Sequence, residues 1–187
     1  MADPGQVGAI GRQLLEARQA AVGRDWDTAR DRLAAAQQAL KQAPAEDPAV
    51  RQLAEAAHRL AQLIDDAVAY WRAVDQAWEK LQPTSELVID DRPVAVVEVG
   101  PDEIVVRSAG QNRRFPRQKL PGKLARAIAA SWLDPQRPDN LVLEAAFEAL
   151  ETDFASPRAA ELWKAAERAG AQVGDLPQVL TDRYGLP

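Results

Sequence analysis

Few side chains in this sequence are suited to covalent or acid–base chemistry. It holds no cysteine, one histidine (His58) and four serines: Ser85, Ser108, Ser131 and Ser156. Thiol catalysis, cysteine-based zinc sites and disulfide frameworks are thereby excluded. His58 has Glu55 and Gln62 at helical neighbour spacing. A metal would need two or three more ligands, and no second His or Cys supplies them, so His58 reads as a solvated helix histidine. Asp65-Asp66 and Asp90-Asp91 are adjacent carboxylates. Neighbours on a helix diverge by about 100° and form no acid–base dyad. The first pair therefore reads as a wet helix face, the second as a hairpin turn. No phosphate loop, dinucleotide glycine pattern or nucleophile elbow is present, and Gly5, Gly8 and Gly11 follow no strand. No catalytic residue, metal or cofactor is expected.

Two patterns point to binding instead. From Ile104 to Leu133 there is no acidic residue, while Arg107, Arg113, Arg114, Arg117, Lys119, Lys123 and Arg126 all fall in this window. With Phe115 available to stack, these residues form a candidate patch for an anion or an acidic partner. The competing reading is that they solvate an outer face and pair with nearby acids. The second pattern is aromatic. Trp71 and Trp78 lie seven apart on one helical face, and Trp132 and Trp163 fall on apolar stripes of their own helices. They are candidate aromatic anchors for a ligand, and their stripes favour core positions instead. Trp26 sits in an interhelical turn beside Asp25 and Asp27 and reads as partly exposed.

The 187 residues are 47% hydrophobic and 27% charged, with a net charge of -5, which is a globular composition. That net charge argues against a generally basic nucleic-acid binder. Eighteen Arg against five Lys, with abundant Ala, point to a GC-rich bacterial genome. The start of the chain, residues 1–6, lacks the basic flank and apolar run of a signal peptide, and no stretch approaches the ~20 apolar residues of a membrane span. The default expectation is a cytoplasmic protein with no membrane partner, export staying open if the chain is cut from a longer protein.

These side chains must be positioned by three kinds of segment. Residues 1–83 read as helical. A first helix at about 6–22 carries Ile10, Leu14, Ala17 and Ala21, with Gly23 as a left-handed C-cap. A second at about 27–42 carries Ala29, Leu33, Ala36 and Leu40. Asp47 and Pro48 open the third. There Val50, Leu53, Ala57, Leu60, Ile64, Ala67, Trp71, Val74, Trp78 and Leu81 alternate steps of three and four over 48–81. Such a helix is ~50 Å long. The short hairpin covers only half of it, so Trp71, Val74 and Trp78 need cover from the C-terminal half or from a second copy in a homodimer through helix 48–81. Residues 85–117 hold four short β-type runs, at 87–89, 94–99, 104–107 and 113–115, the first three of them rich in Val and Ile. They are separated by Asp90-Asp91, Gly100-Pro101-Asp102 and Gly110-Gln111-Asn112, an antiparallel meander with one face covered by a helix. The remainder returns to helix: Leu124, Ile128 and Trp132 every four residues, an Asp139-capped helix with Leu143, Phe147 and Leu150, a Ser156-Pro157 start carrying Trp163 and stopping at Gly170, and a short segment at about 175–183.

Ala17, Ala29, Leu33 and Ala36 fall at the small, small, large, small spacing of a tetratricopeptide unit, which residues 6–42 resemble. That resemblance implies helical-hairpin packing and a protein-binding role. The run VAVVEVGPDEIVVRSAG followed by FPRQKL, within 86–120, resembles the small bacterial barrels of the Src-homology-3-like kind, with a buried Leu120 after the proline. It departs from them in having four strands, not five.

The expected fold is mainly α within the α+β class. It comprises an N-terminal three-helix unit (1–83), a four-stranded antiparallel meander (84–120), and a C-terminal helical cluster (121–187) packing on the long helix and the meander. The expected function is a non-catalytic protein–protein interaction or scaffold module, open to being part of a larger bacterial protein. Two alternatives stand beside it: a binder of nucleic acid or another anionic polymer through residues 107–126, and a carboxylate-based enzyme.

Overall fold

A computed structural model describes residues 2–184. It is mainly helical with one four-stranded antiparallel sheet, in the order α1 (Pro4–Val22), α2 (Trp26–Gln42), α3 (Pro48–Trp78), β1 (Glu86–Ile89), β2 (Arg92–Val99), β3 (Glu103–Ser108), β4 (Gln111–Pro116), α4 (Gly122–Ala129), α5 (Pro138–Glu151) and α6 (Pro157–Arg168). The α+β class expected from the sequence is what is found. The chain divides into two compact units, residues 1–68 with 137–187 and residues 69–136. These units cut the chain at other places than the expected boundaries after residues 83 and 120. The long helix is shared between the units, and α4 belongs with the sheet, not with α5 and α6.

In the first unit, caps and proline positions set the helix starts. Asp3 accepts a hydrogen bond from the Gln6 amide with Pro4 in the first turn, Asp25 accepts from the Thr28 amide, and Ser156 accepts from the Ala159 amide ahead of Pro157. Asp47 accepts from the Ala49 amide with one carboxylate oxygen and from the Ala2 amide with the other, at 2.8 Å. Two expected caps differ. Gly23 is right-handed (φ -75°), and Arg24 takes the left-handed place at φ 61°. Asp139 lies inside the first turn of α5, which starts at Pro138 without a side-chain cap.

α1 packs along α2, and α5 along α6. Ala17, Ala21, Ala29 and Ala36 are fully buried, and their small side chains let the helix axes approach closely. The core continues through Leu53, Leu60 and Ile64 of α3 to Trp163 of α6, which is completely buried. Arg24 bonds Glu151 at 2.6 Å, and the Arg18 guanidinium lies 3.9 Å from the Phe154 ring centroid.

One buried charge in this unit was not anticipated. Arg59 is only 3% exposed. It donates to both oxygens of Asp182, at 2.9 and 2.7 Å, and to Asp175 at 2.6 Å. These bonds hold the guanidinium in its charged form and keep Asp175 below the usual carboxylate range. They fasten the C-terminal segment, whose last turn (Leu176–Leu180) is 3-10 in place of the expected helix. That segment closes on α1 at Gly11, where a Cβ would stand 2.2 Å from the Tyr184 carbonyl oxygen. Glycine is required there by space, not by φ.

α3 is one continuous helix of 31 residues, about 46 Å at 1.5 Å per residue, and its final ten residues belong to the second unit. In that unit the sheet order is β1-β2-β3-β4, each strand pairing with the next. Asp90 and Asp91 (φ 50° and 59°) make the first hairpin turn, as their pairing in sequence indicates. The last turn is Ala109-Gly110 (φ 49° and 79°), one residue earlier than expected, and Gln111 and Asn112 are already in β4. A bulge between Val96 and Glu98 shifts the register, which accounts for the broken alternation of VAVVEV. One face of the sheet carries Leu87, Val94 and Val96 of β1 and β2, and Val106, Ile104 and Phe115 of β3 and β4 share that face, Val106 opposite Val96 before the bulge and Ile104 and Phe115 beyond it. α4 packs beside β1, burying Leu124 and Ile128, and Leu120 is buried as expected.

Candidate binding cleft on the sheet

α4 covers only part of the sheet face it meets. The uncovered part is a cleft of about 550 Å³, contained in the second unit and lined by residues of all four strands or their turns and by the start of α4. Its apolar residues are Ile89, Val94, Val106, Phe115, Pro121 and Leu124, and its charged residues are Asp90, Arg92, Arg113 and Lys123, with Ser108 between. The register explains the grouping. Arg113 faces Val106 across β3–β4, and Arg92 faces Ile89 across β1–β2, so side chains two apart on each strand share the face.

The electrostatics of the cleft are one-sided. Asp90 is its single carboxylate, and Lys123 bonds it at 2.6 Å. That bond, with the nearby positive charges of Arg126 and Arg92, holds the Asp90 carboxyl below its usual range. Asp90 is thus an ionised anchor for Lys123 and is poorly suited to carry a proton. Arg92 and Arg113 are exposed and form no ion pair or side-chain hydrogen bond among the described residues. The cleft is positive at its rim and apolar at its floor.

The basic window read from the sequence is not one surface. Arg113, Phe115 and Lys123 line the cleft, and Arg126 lies near Asp90. Arg107 and Arg114 alternate to the opposite face, where Arg107 donates to Asn112 at 2.8 Å and Arg114 pairs with Glu103. Arg117 is bonded to Asp75 at 2.7 Å, with its guanidinium 5.5 Å from the Trp78 ring centroid. Lys119 is exposed in a 3-10 turn beyond β4. Arg92 was missed because it stands outside the acid-free window, next to two aspartates that mask it in any count of local charge.

Of the four tryptophans read as anchors, Trp163 and Trp78 are buried, and the Trp78 indole donates to the Gly100 carbonyl at 3.0 Å. Trp71 is half-buried. Trp132 departs from its core reading: α4 stops at Ala129, the chain turns, and Trp132 is 46% exposed. His58 is exposed on α3 in a shallow groove with Leu40 and Lys41 of α2. Among the described residues no group of three or more His, Cys, Asp or Glu side chains is placed to hold a metal ion, and no helix is long and apolar enough to cross a membrane. Asp65 is exposed and pairs with Arg30 at 3.4 Å, whereas Asp66 is partly buried, so that pair is not a uniformly wet face. Burial, with Asp65 beside it, pushes the Asp66 carboxyl up to about 6.

Compared with protein-family models, curated proteins and solved structures, the chain matches none.

Proposed function

We propose that this protein is a non-catalytic interaction module that holds a partner protein in the cleft on its sheet. The observation that carries this reading is the composition of the cleft, an open apolar floor with unpaired cations at its edge and a single carboxylate already bound to Lys123. Such a surface offers shape and charge to a ligand. A carboxylate-based enzyme would want two acids converging on one reacting atom, and Asp90 stands alone among the lining residues. A nucleic-acid surface along 107–126 draws less support, because Arg107, Arg114 and Arg117 spend their donors on Asn112, Glu103 and Asp75. A backbone-tracking groove needs several uncommitted cations in one row.

The test is photo-cross-linking in the cells from which the chain derives, with a photoreactive amino acid at Ser108 inside the cleft or at Gln38 on the exposed side of α2. The expected result is a discrete protein adduct from position 108, absent from position 38 and lost when Arg113→Glu is added. Identical adducts from both positions, or none from either, would overturn the reading.

A further inference from the structure

Resting on that reading, we infer that the cleft takes a short extended acidic segment of a partner protein, with one apolar side chain on the floor flanked by carboxylates that meet Arg92 and Arg113. Three observations argue for this occupant. First, charge complementarity fixes the sign. Arg92 and Arg113 are exposed, without ion pairs among the described residues, and on the same sheet face, while Lys123 is held by Asp90. Guanidinium groups match carboxylates in a planar, two-pronged geometry that a point charge does not.

Second, the floor formed by Val94, Val106, Phe115 and Leu124 is apolar, so a bare inorganic anion would leave most of the cleft unfilled. A volume of about 550 Å³ suits a few residues of peptide and falls in the ordinary range of ligand sites.

Third, β4 is a sheet edge, paired only with β3. Its outward N–H and C=O groups lie along one margin of the cleft, since Arg113 and Phe115 belong to both strand and cleft. An extended segment is the ligand shape that uses such an edge, through main-chain hydrogen bonds that double-stranded nucleic acid cannot supply. Pro116 closes one end of the edge because it lacks an N–H, so pairing is confined to the part of β4 before it, where Arg113 sits.

The experiment uses the full chain and three sets of short fluorescent peptides, read by anisotropy. The first set places Asp or Glu on both sides of one Leu or Phe, the second replaces the acids by Lys, and the third replaces the apolar residue by Ser. A single-stranded oligodeoxynucleotide and inorganic phosphate are added as competitors. The expected result is saturable binding of the first set alone, weakened about tenfold or more by Arg113→Glu and by Arg92→Glu, and unchanged by Arg107→Glu on the opposite face. Both cleft variants are surface charge reversals, and circular dichroism spectra matching the parent chain confirm that a loss is not unfolding. Preference for the lysine set, equal binding of the serine set, displacement by oligonucleotide or phosphate at equal concentration, or indifference to both cleft variants would each overturn the inference. If cross-linking at Ser108 captures a protein while the acidic set does not bind, the partner chemistry fails and the interaction reading stands. If neither occurs, both fail.

Discussion

A guanidinium removed from water must have its charge answered, and Arg59 shows how the first unit does so. Asp182 answers it with both oxygens and Asp175 with one. Removing the cation leaves a largely buried carboxylate at Asp182 with nothing opposite it. Arg59→Ala is therefore expected to cost about 3 kcal/mol in urea unfolding at neutral pH. It should also bring proteolysis to the C-terminal segment before the rest of the chain. The pH dependence follows from the sign: Asp175 is held low in the folded state, so this contribution is present above the ordinary carboxylate range and fades as pH falls through it. Asp66 runs the other way. With a folded value of about 6 against an ordinary value of 3.8, the native state binds the extra proton, and stability falls as pH rises from about 4 to about 6. Asp66→Asn removes that penalty. After allowance for solvent screening at a partly buried site, the variant should gain about 1 kcal/mol at pH 7 and nothing below pH 4. A constant difference between variant and parent across that range would contradict the assignment.

At the scale of the element, α1 offers a contrast within one helix. At Gly8 an added Cβ meets only the flexible end of Arg12 at 3.6 Å, whereas at Gly11 it meets the Tyr184 carbonyl at 2.2 Å. Gly8→Ala is expected to raise stability by roughly 0.5–1 kcal/mol through helix propensity. Gly11→Ala should lower it by about 1–3 kcal/mol, because a backbone atom must move. Thermal denaturation of the two variants side by side decides this, and equal shifts of one sign would refute the close approach. This pair also shows what the sequence could and could not convey. The stripe from Val50 to Trp78 made α3 legible because one repeat runs unbroken, and Ser156-Pro157 marked the start of α6 because cap and proline are local signals. Gly11 carried no such signal, since its reason is a residue 173 positions away in sequence. The same is true of Arg59, an ordinary polar interruption of the stripe until the C-terminal segment folds over it. Trp132 was misplaced because a four-residue apolar spacing continues across the end of α4, where hydrogen bonds shorten to turns such as Trp132 N–H to Ala129 C=O.

For the molecule as a whole, net charge and local charge point in different directions. The chain carries -5 in total, and the cleft on its sheet is rimmed by arginine. Half of that site was legible. Arg113, Phe115 and Lys123 came from the acid-free window, and strand alternation alone sends Arg107 and Arg114 to the other side. The join of Arg92 and Asp90 to the same cleft depends on pairing register and on where α4 stops covering the sheet. A partner held by two exposed arginines should also loosen as salt rises, though far less steeply than a ligand contacting six or more phosphates. The most direct measurement is a methyl-resolved NMR titration of the full chain with the acidic, apolar-centred peptide. Saturable shifts are expected at Val94, Val106 and Leu124, with Leu33 and Ile64 in the groove between α2 and α3 unmoved. Saturable binding that shifts those groove methyls and leaves the cleft methyls in place would contradict the proposal.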